Sequence, residues 1–133
     1  MTQEDKQLLL RDLCTRLPYG VKILHTGWDS DRNIDFDTVE TLIGIDNEFI
    51  YTVWDKTGDR EKHCLSISNW KPYLRHLSSM TDEEEIEFEE TLQYTQFTLE
   101  SYDWLNAHHF DYRELIERGL ALKAPKDMYN NVK

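Results

Sequence analysis

Along the first seventeen residues, apolar side chains recur at Leu9, Leu10, Leu13, Cys14 and Leu17, the spacing of one helix face. Thr2, with Asp5 three positions later, resembles a capping box, so the pattern predicts an N-terminal helix that Pro18 and Gly20 stop. The period then changes. "GVKILHT" is short, β-branched and bounded by Gly20 and Gly27. "TVETLIGI" and "EFIYTVW" follow, joined across Asp46-Asn47 as a two-residue hairpin turn. In the latter, Phe49, Tyr51 and Val53 alternate with Ile50, Thr52 and Trp54, the pattern of a strand covered on both faces. "DKTGDREK" is a polar turn around Gly58, and "HCLSIS" offers a fourth strand. Short sequential strands with tight connections predict a four-stranded antiparallel sheet or a small SH3-like barrel.

After residue 68 the strand signal fades. "NWKPYLRHLSSM" carries Pro72 early, where it fits the first turn of a short helix. Thr81 as N-cap with Glu84 at N3 starts another, whose length Ile86, Phe88 and Leu92 leave open because they form no clean stripe. "LESYDWLNAHHF" reads as a helix with Tyr102 and Leu105 toward the core and Trp104 as a further candidate. Trp104, Leu105 and Phe110 are expected to anchor the helical part to the sheet, since so short a helix needs tertiary packing. Asp111 with Glu114 repeats the capping pattern, and "YRELIER" ends at Gly119. The expected fold is one α+β domain over 1–133: an N-terminal helix (1–17), a β meander (18–68), C-terminal helices (69–124) and a loose tail (125–133).

Composition narrows the function classes. The chain carries 15 basic and 26 acidic residues, a net charge of −11, with no basic cluster. Nucleic-acid binding rests on Lys and Arg neutralising phosphates, so direct binding is disfavoured, as is an anionic membrane surface. No apolar run approaches the ~20 residues of a membrane span, and "MTQEDKQLLLRDL" lacks the layout of a signal peptide. Cys14 and Cys64 fit a reduced, cytoplasmic protein in which both are buried, Cys14 on its leucine-rich helix face.

Three stretches carry candidate chemistry. "DSDRNIDFDTVE" places Asp29, Asp31, Asn33, Asp35, Asp37 and Glu40 at the ligand positions of a twelve-residue EF-hand loop. Its sixth position, however, needs a glycine and holds Ile34, and both flanks read as strands, so an acidic turn is expected in place of a calcium site. "DEEEIEFEE" has seven carboxylates in nine positions. Asp82 to Glu85 suit the positive end of a helix dipole, while Glu87, Glu89 and Glu90 lie beyond its reach. Glu83, Glu84, Glu85, Glu87, Glu89 and Glu90 are therefore the expected partner-binding residues. Finally, Asp103, His108 and Asp111 sketch a metal site, but adjacent His108 and His109 point about 100° apart, unlike a helical i, i+4 pair. One of them is expected to pack on Trp104 or cap a helix end. No nucleophile, phosphate-loop or zinc motif is present, so no catalytic residue, metal ligand or cofactor is assigned.

"EDKQLLLRDLCTRLPYGVKI", "WKPYLRHLSSMTDEEE" and "DWLNAHHFDYRELIERGLALKAP" resemble segments shared by a group of small uncharacterised proteins common in Bacteroidetes genomes and their mobile elements. The resemblance implies a bacterial, phage- or mobile-element-associated origin and brings no activity or site residues. The expected function is a non-enzymatic protein-interaction module with a basic partner. The rivals are a DNA-mimic inhibitor of a nucleic-acid-binding protein and a small metal-dependent enzyme using residues 103–111.

Overall fold

Thr2 accepts a hydrogen bond from the Asp5 backbone N–H at 3.0 Å and starts α1 (Gln3–Arg16). The structure, a computed structural model, describes residues 2–66 and 69–129. The buried face of α1 carries Leu9 and Leu13, but also Asp12 and Arg16. Arg16 grips Asp12 through Nε (2.7 Å) and Nη2 (3.1 Å) and donates to the Phe110 carbonyl at 2.7 Å; Arg113 joins Asp12 at 3.1 Å. A buried charge is tolerable when paired in this way, and the cluster fastens α1 to the C-terminal part. A 3-10 turn, Leu17–Tyr19, ends the helix at Gly20, whose φ of 68° is open to a residue without Cβ.

The next strands are β1 (Lys22–Asp29), β2 (Ile34–Ile45), β3 (Phe49–Trp54), β4 (Arg60–Cys64) and β5 (Trp70–His76). Asp29 accepts from the N–H groups of Asp31 and Arg32 to turn the first hairpin, and Asp46 does the same with Glu48 and Phe49 in the second. In β2 the register pairs Leu42 with Thr52, skips Ile43, and resumes with Gly44 opposite Tyr51 and Ile45 opposite Ile50. This bulge resets the in–out alternation, so Ile45 packs against the core on the face that Leu42 also uses.

The helical part consists of α2 (Asp82–Glu89) and α3 (Leu99–Ala107), followed by β6 (Phe110–Asp111) and β7 (Leu122–Lys123). Strand order is β4-β3-β2-β1-β5-β6, with β7 also on β5. Pairing is antiparallel except for β6 and β7, which lie parallel to β5. Leu9 and Leu13 cover the sheet face that presents Ile23, Leu42, Ile50 and Leu74. Among the described residues, no helix is long and apolar enough to cross a membrane.

The α+β class and the N-terminal helix agree with expectation; the sheet does not. It has seven strands and is open rather than a barrel, with β4 and β6 at opposite ends. The extra strands come from segments read as helical. "WKPYLRH" is β5, because Trp70, Pro72 and Leu74 alternate inward with period two, and Pro72 lies opposite Ile23. "YRELIER" forms turns, not a regular helix: Asp111 accepts from the N–H groups of Leu115 (3.0 Å) and Ile116 (2.9 Å), and Glu114 sits at φ 61°. The tail is held as far as Tyr129, whose hydroxyl donates to the Tyr73 carbonyl and accepts from the Lys22 N–H, both at 2.7 Å. The remainder of the predicted tail, 130–133, lies outside the described residues, as does the end of "HCLSIS". Both cysteines are free, but Cys14 is exposed and Cys64 half-buried, since α1 turns Asp12 and Arg16 inward and leaves Cys14 outside the stripe.

Candidate functional site

Besides the Asp12–Arg16–Arg113 cluster that fastens α1, two places among the described residues concentrate ionisable side chains, one on the surface of α2 and one inside the sheet. At α2, Thr81 and Glu84 form a reciprocal capping box, with the Glu84 N–H donating to Thr81 at 3.1 Å and the Thr81 N–H to Glu84 at 3.0 Å. The Arg75 guanidinium grips the same carboxylate at 2.7 and 2.8 Å and holds its pKa below the ordinary value. Glu87 accepts from the Trp104 indole at 3.0 Å. Of the six expected partner-binding residues, Glu84 and Glu87 therefore already bond within the fold, while Glu83, Glu85, Glu89 and Glu90 are exposed.

Beside these carboxylates the surface is apolar. Ile86 is 64% exposed, Leu99 85% and Tyr94 88%. Tyr94 stands at the tip of a tight turn in which Gln93 and Gln96 exchange backbone hydrogen bonds at 3.0 and 2.9 Å. Both tip residues have left-handed backbone, Tyr94 at φ 52° and Thr95 at φ 66°, a conformation that suits glycine or asparagine and strains a β-branched threonine. Behind the turn, Phe97 contacts both Phe88 and Tyr102 edge-on at 5.3–5.4 Å. Trp104 is half-buried, stacked on His108 at 4.0 Å and parallel to Phe110 at 5.8 Å; Leu105 and Phe110 are fully buried. Leu105 and Phe110 are buried as expected, Phe110 within β6 itself, whereas Trp104 packs half-buried against Phe88 of α2, Phe110 and His108, which is the histidine that stacks on it.

Inside the sheet, β1, β2, β3 and β4 each turn a polar side chain onto the core face two residues from an apolar one. Ile23 is followed by His25, Thr52 follows Ile50, Glu40 precedes Leu42 and His63 precedes Leu65. Glu40 is fully buried at the centre of this row. Its Oε1 accepts from Thr52 at 2.6 Å and lies 2.7 Å from His63 Nε2; its Oε2 accepts from Thr38 at 2.5 Å and lies 3.2 Å from His25 Nδ1. Burial alone raises a carboxyl pKa, but hydrogen bonds from Thr38, Thr52 and His63 and the nearby His63 charge outweigh it and hold Glu40 below its ordinary value. The two imidazoles are 4.3 Å apart, and Phe36 meets the His25 ring edge-on.

The structure does not assemble the sites that sequence spacing suggested. Glu40 lies within β2, about 20 Å along the strand from the start of the hairpin at Ile34, and bonds to histidines instead of joining Asp29 to Asp37. Asp103 is exposed, His108 lies on Trp104, and Asp111 caps the turn at Leu115 and Ile116. Among the described residues, His25, Glu40 and His63 are the group whose ligand atoms converge, all within 4.8 Å. Sequence reasoning missed it because its members sit on different strands. The available signal was the recurrence of His, Glu and Thr in inward phase on neighbouring strands. No family model, curated protein or solved structure matches this chain, so its function rests on these residues.

Proposed function

We propose that this is a non-enzymatic protein-interaction module that docks a basic, apolar-bearing segment of another protein. The docking face comprises α2, the turn 93–96 and the start of α3. The observation that carries this reading is the Tyr94-Thr95 turn. Two non-glycine residues held in left-handed backbone cost of order 1–3 kcal/mol each, and such strain persists where something gains from it. Here it lifts Tyr94 clear of the surface, and exposed Ile86 and Leu99 with four exposed carboxylates lie within the same segment, residues 83–99. Aromatic anchors within a charged rim are the anatomy of a binding patch, and a net charge of −11 steers a cationic partner toward it. DNA mimicry has less behind it, because Glu84 is taken up by Arg75 and the capping box, Glu87 is engaged by the Trp104 indole, and apolar Ile86 is exposed among the remaining carboxylates.

The test is selection of binders from a peptide library that fixes Lys and Arg around varied apolar positions, followed by chemical-shift mapping on the labelled protein. The reading expects shifts confined to residues 83–104 and an affinity that falls with added salt and with Tyr94→Ala. Binders that map elsewhere, or none from such a library, would overturn it.

A further inference from the structure

We infer that His25, Glu40 and His63 form a binding site for one divalent transition-metal ion of the Zn²⁺ type. The donor set is two imidazole nitrogens and one carboxylate, a combination that binds zinc through three protein ligands and leaves a further position for solvent. The converging atoms are His25 Nδ1, His63 Nε2 and the Glu40 oxygens. With its proton on the other ring nitrogen, each imidazole turns a lone pair toward the common centre. The ion then displaces the hydrogen bonds from the rings to Glu40.

Three features distinguish this group from acidic surface clusters elsewhere on the chain. Its members stand on β1, β2 and β4, rigid elements whose register fixes the ligand spacing without a loop. Thr38 and Thr52 donate to the two oxygens of Glu40, one each, and so orient the carboxylate as outer-shell partners do in metal centres. Trp54 occupies the register position opposite Glu40 on the same face, and its buried indole N–H has no hydrogen-bond partner among the described residues. A water held in the site beside the ion, and not coordinated to it, is the kind of acceptor that such a donor lacks. The His25 side chain remains 12% exposed, which gives an ion a way in.

The experiment titrates Zn²⁺ into the chelator-treated full chain by calorimetry and Co²⁺ by visible absorption, while the histidine ring nitrogens of the wild-type protein are followed by NMR. The site predicts one ion per chain, Co²⁺ bands of low coordination number, and perturbed resonances at His25 and His63. Affinity should weaken at acid pH, because ligand histidines must lose their protons. His25→Asn and His63→Asn should each lower the affinity at least tenfold, whereas His108→Asn, which removes the stacked surface histidine, should not. If the ligand variants fail to fold, the wild-type ring resonances decide alone. Absence of one-to-one binding, or binding that leaves the His25 and His63 resonances unmoved, would overturn the assignment.

Discussion

The protein uses carboxylates in two opposite ways. Glu40 is one acidic group without solvent access, and each of its oxygens has a threonine and a histidine in reach. On α2, seven carboxylates fill nine positions, and only Glu84 and Glu87 among the six singled out bond within the fold. Density along the chain thus says little about how much one carboxylate matters. A lone acid inside a sheet must have its partners in place before it can be buried charged, whereas clustered acids on a helix already have water.

The contrast predicts its largest effect at Glu40. Glu40→Ala in metal-free buffer leaves two threonine hydroxyls and two imidazoles without their acceptor, and should cost ~3–5 kcal/mol in urea unfolding. A loss below about 1 kcal/mol, the scale of an exposed ion pair, would mean that the row relaxes into solvent and would remove the distinction. Because the folded pKa of Glu40 is lowered from 4.5, its contribution is fully present above that pH and fades as pH falls through the folded value.

A buried base sharpens the same comparison from the other sign. His109 is buried, stacked on Tyr129 at 3.7 Å, and its Nδ1 has no partner. Burial first, then the charges of Arg16 and its neighbours, lowers its pKa from 6.5 to about 3. Between those values the unfolded chain holds a proton that the folded chain refuses, so stability is full above pH 6.5 and declines toward pH 3. The slope approaches ~1.4 kcal/mol per pH unit, or roughly 2 kcal/mol between pH 6.5 and 5. His109→Asn, which tolerates the left-handed backbone at φ 66°, should flatten the difference in urea midpoint between these pH values. An unchanged slope would assign the acid sensitivity to another group.

Within α2, the two kinds of carboxylate occur side by side. Glu84→Ala removes half of the capping box and the bidentate partner of Arg75, and should cost ~1–2 kcal/mol. An effect inside the ±0.5 kcal/mol of an ordinary surface change would place Glu84 with its exposed neighbours.

How much of this was legible depends on range. Thr2 at the start of α1 and Thr81 with Glu84 are written within three residues and form as the sequence implied. The hairpin at Asp46 also forms, but its turn extends through Glu48 and not across Asp46-Asn47 alone, because the Asp46 carboxylate accepts from the Glu48 and Phe49 N–H groups. β5 was missed because a proline near its start outweighed the period-two alternation of Trp70, Pro72 and Leu74. "YRELIER" has helical spacing, but the positive φ at Glu114 and the Asp111 carboxylate set up turns instead. The His–Glu–His group required the pairing of β1 through β4, which no local pattern encodes.

The smallest expected effect on stability is also the one that tests the surface reading. Glu83, Glu85, Glu89 and Glu90 are exposed, and the helix dipole reaches only the first turn, so Glu89 and Glu90 gain nothing from it. Replacing all four with Gln should change stability by no more than ~0.5 kcal/mol per site, with relief of like-charge repulsion tending to raise it. Association with a selected basic peptide should nevertheless slow, and its rate should lose much of its dependence on salt, because rim charges act on encounter more than on the bound state. Tyr94→Ala should behave conversely, leaving the salt dependence in place and speeding dissociation, since an apolar anchor acts after contact. If the four-Gln variant associates as fast as the parent at low salt, these carboxylates serve solubility alone, and a docking face would have to rest on Ile86, Tyr94 and Leu99 without electrostatic help.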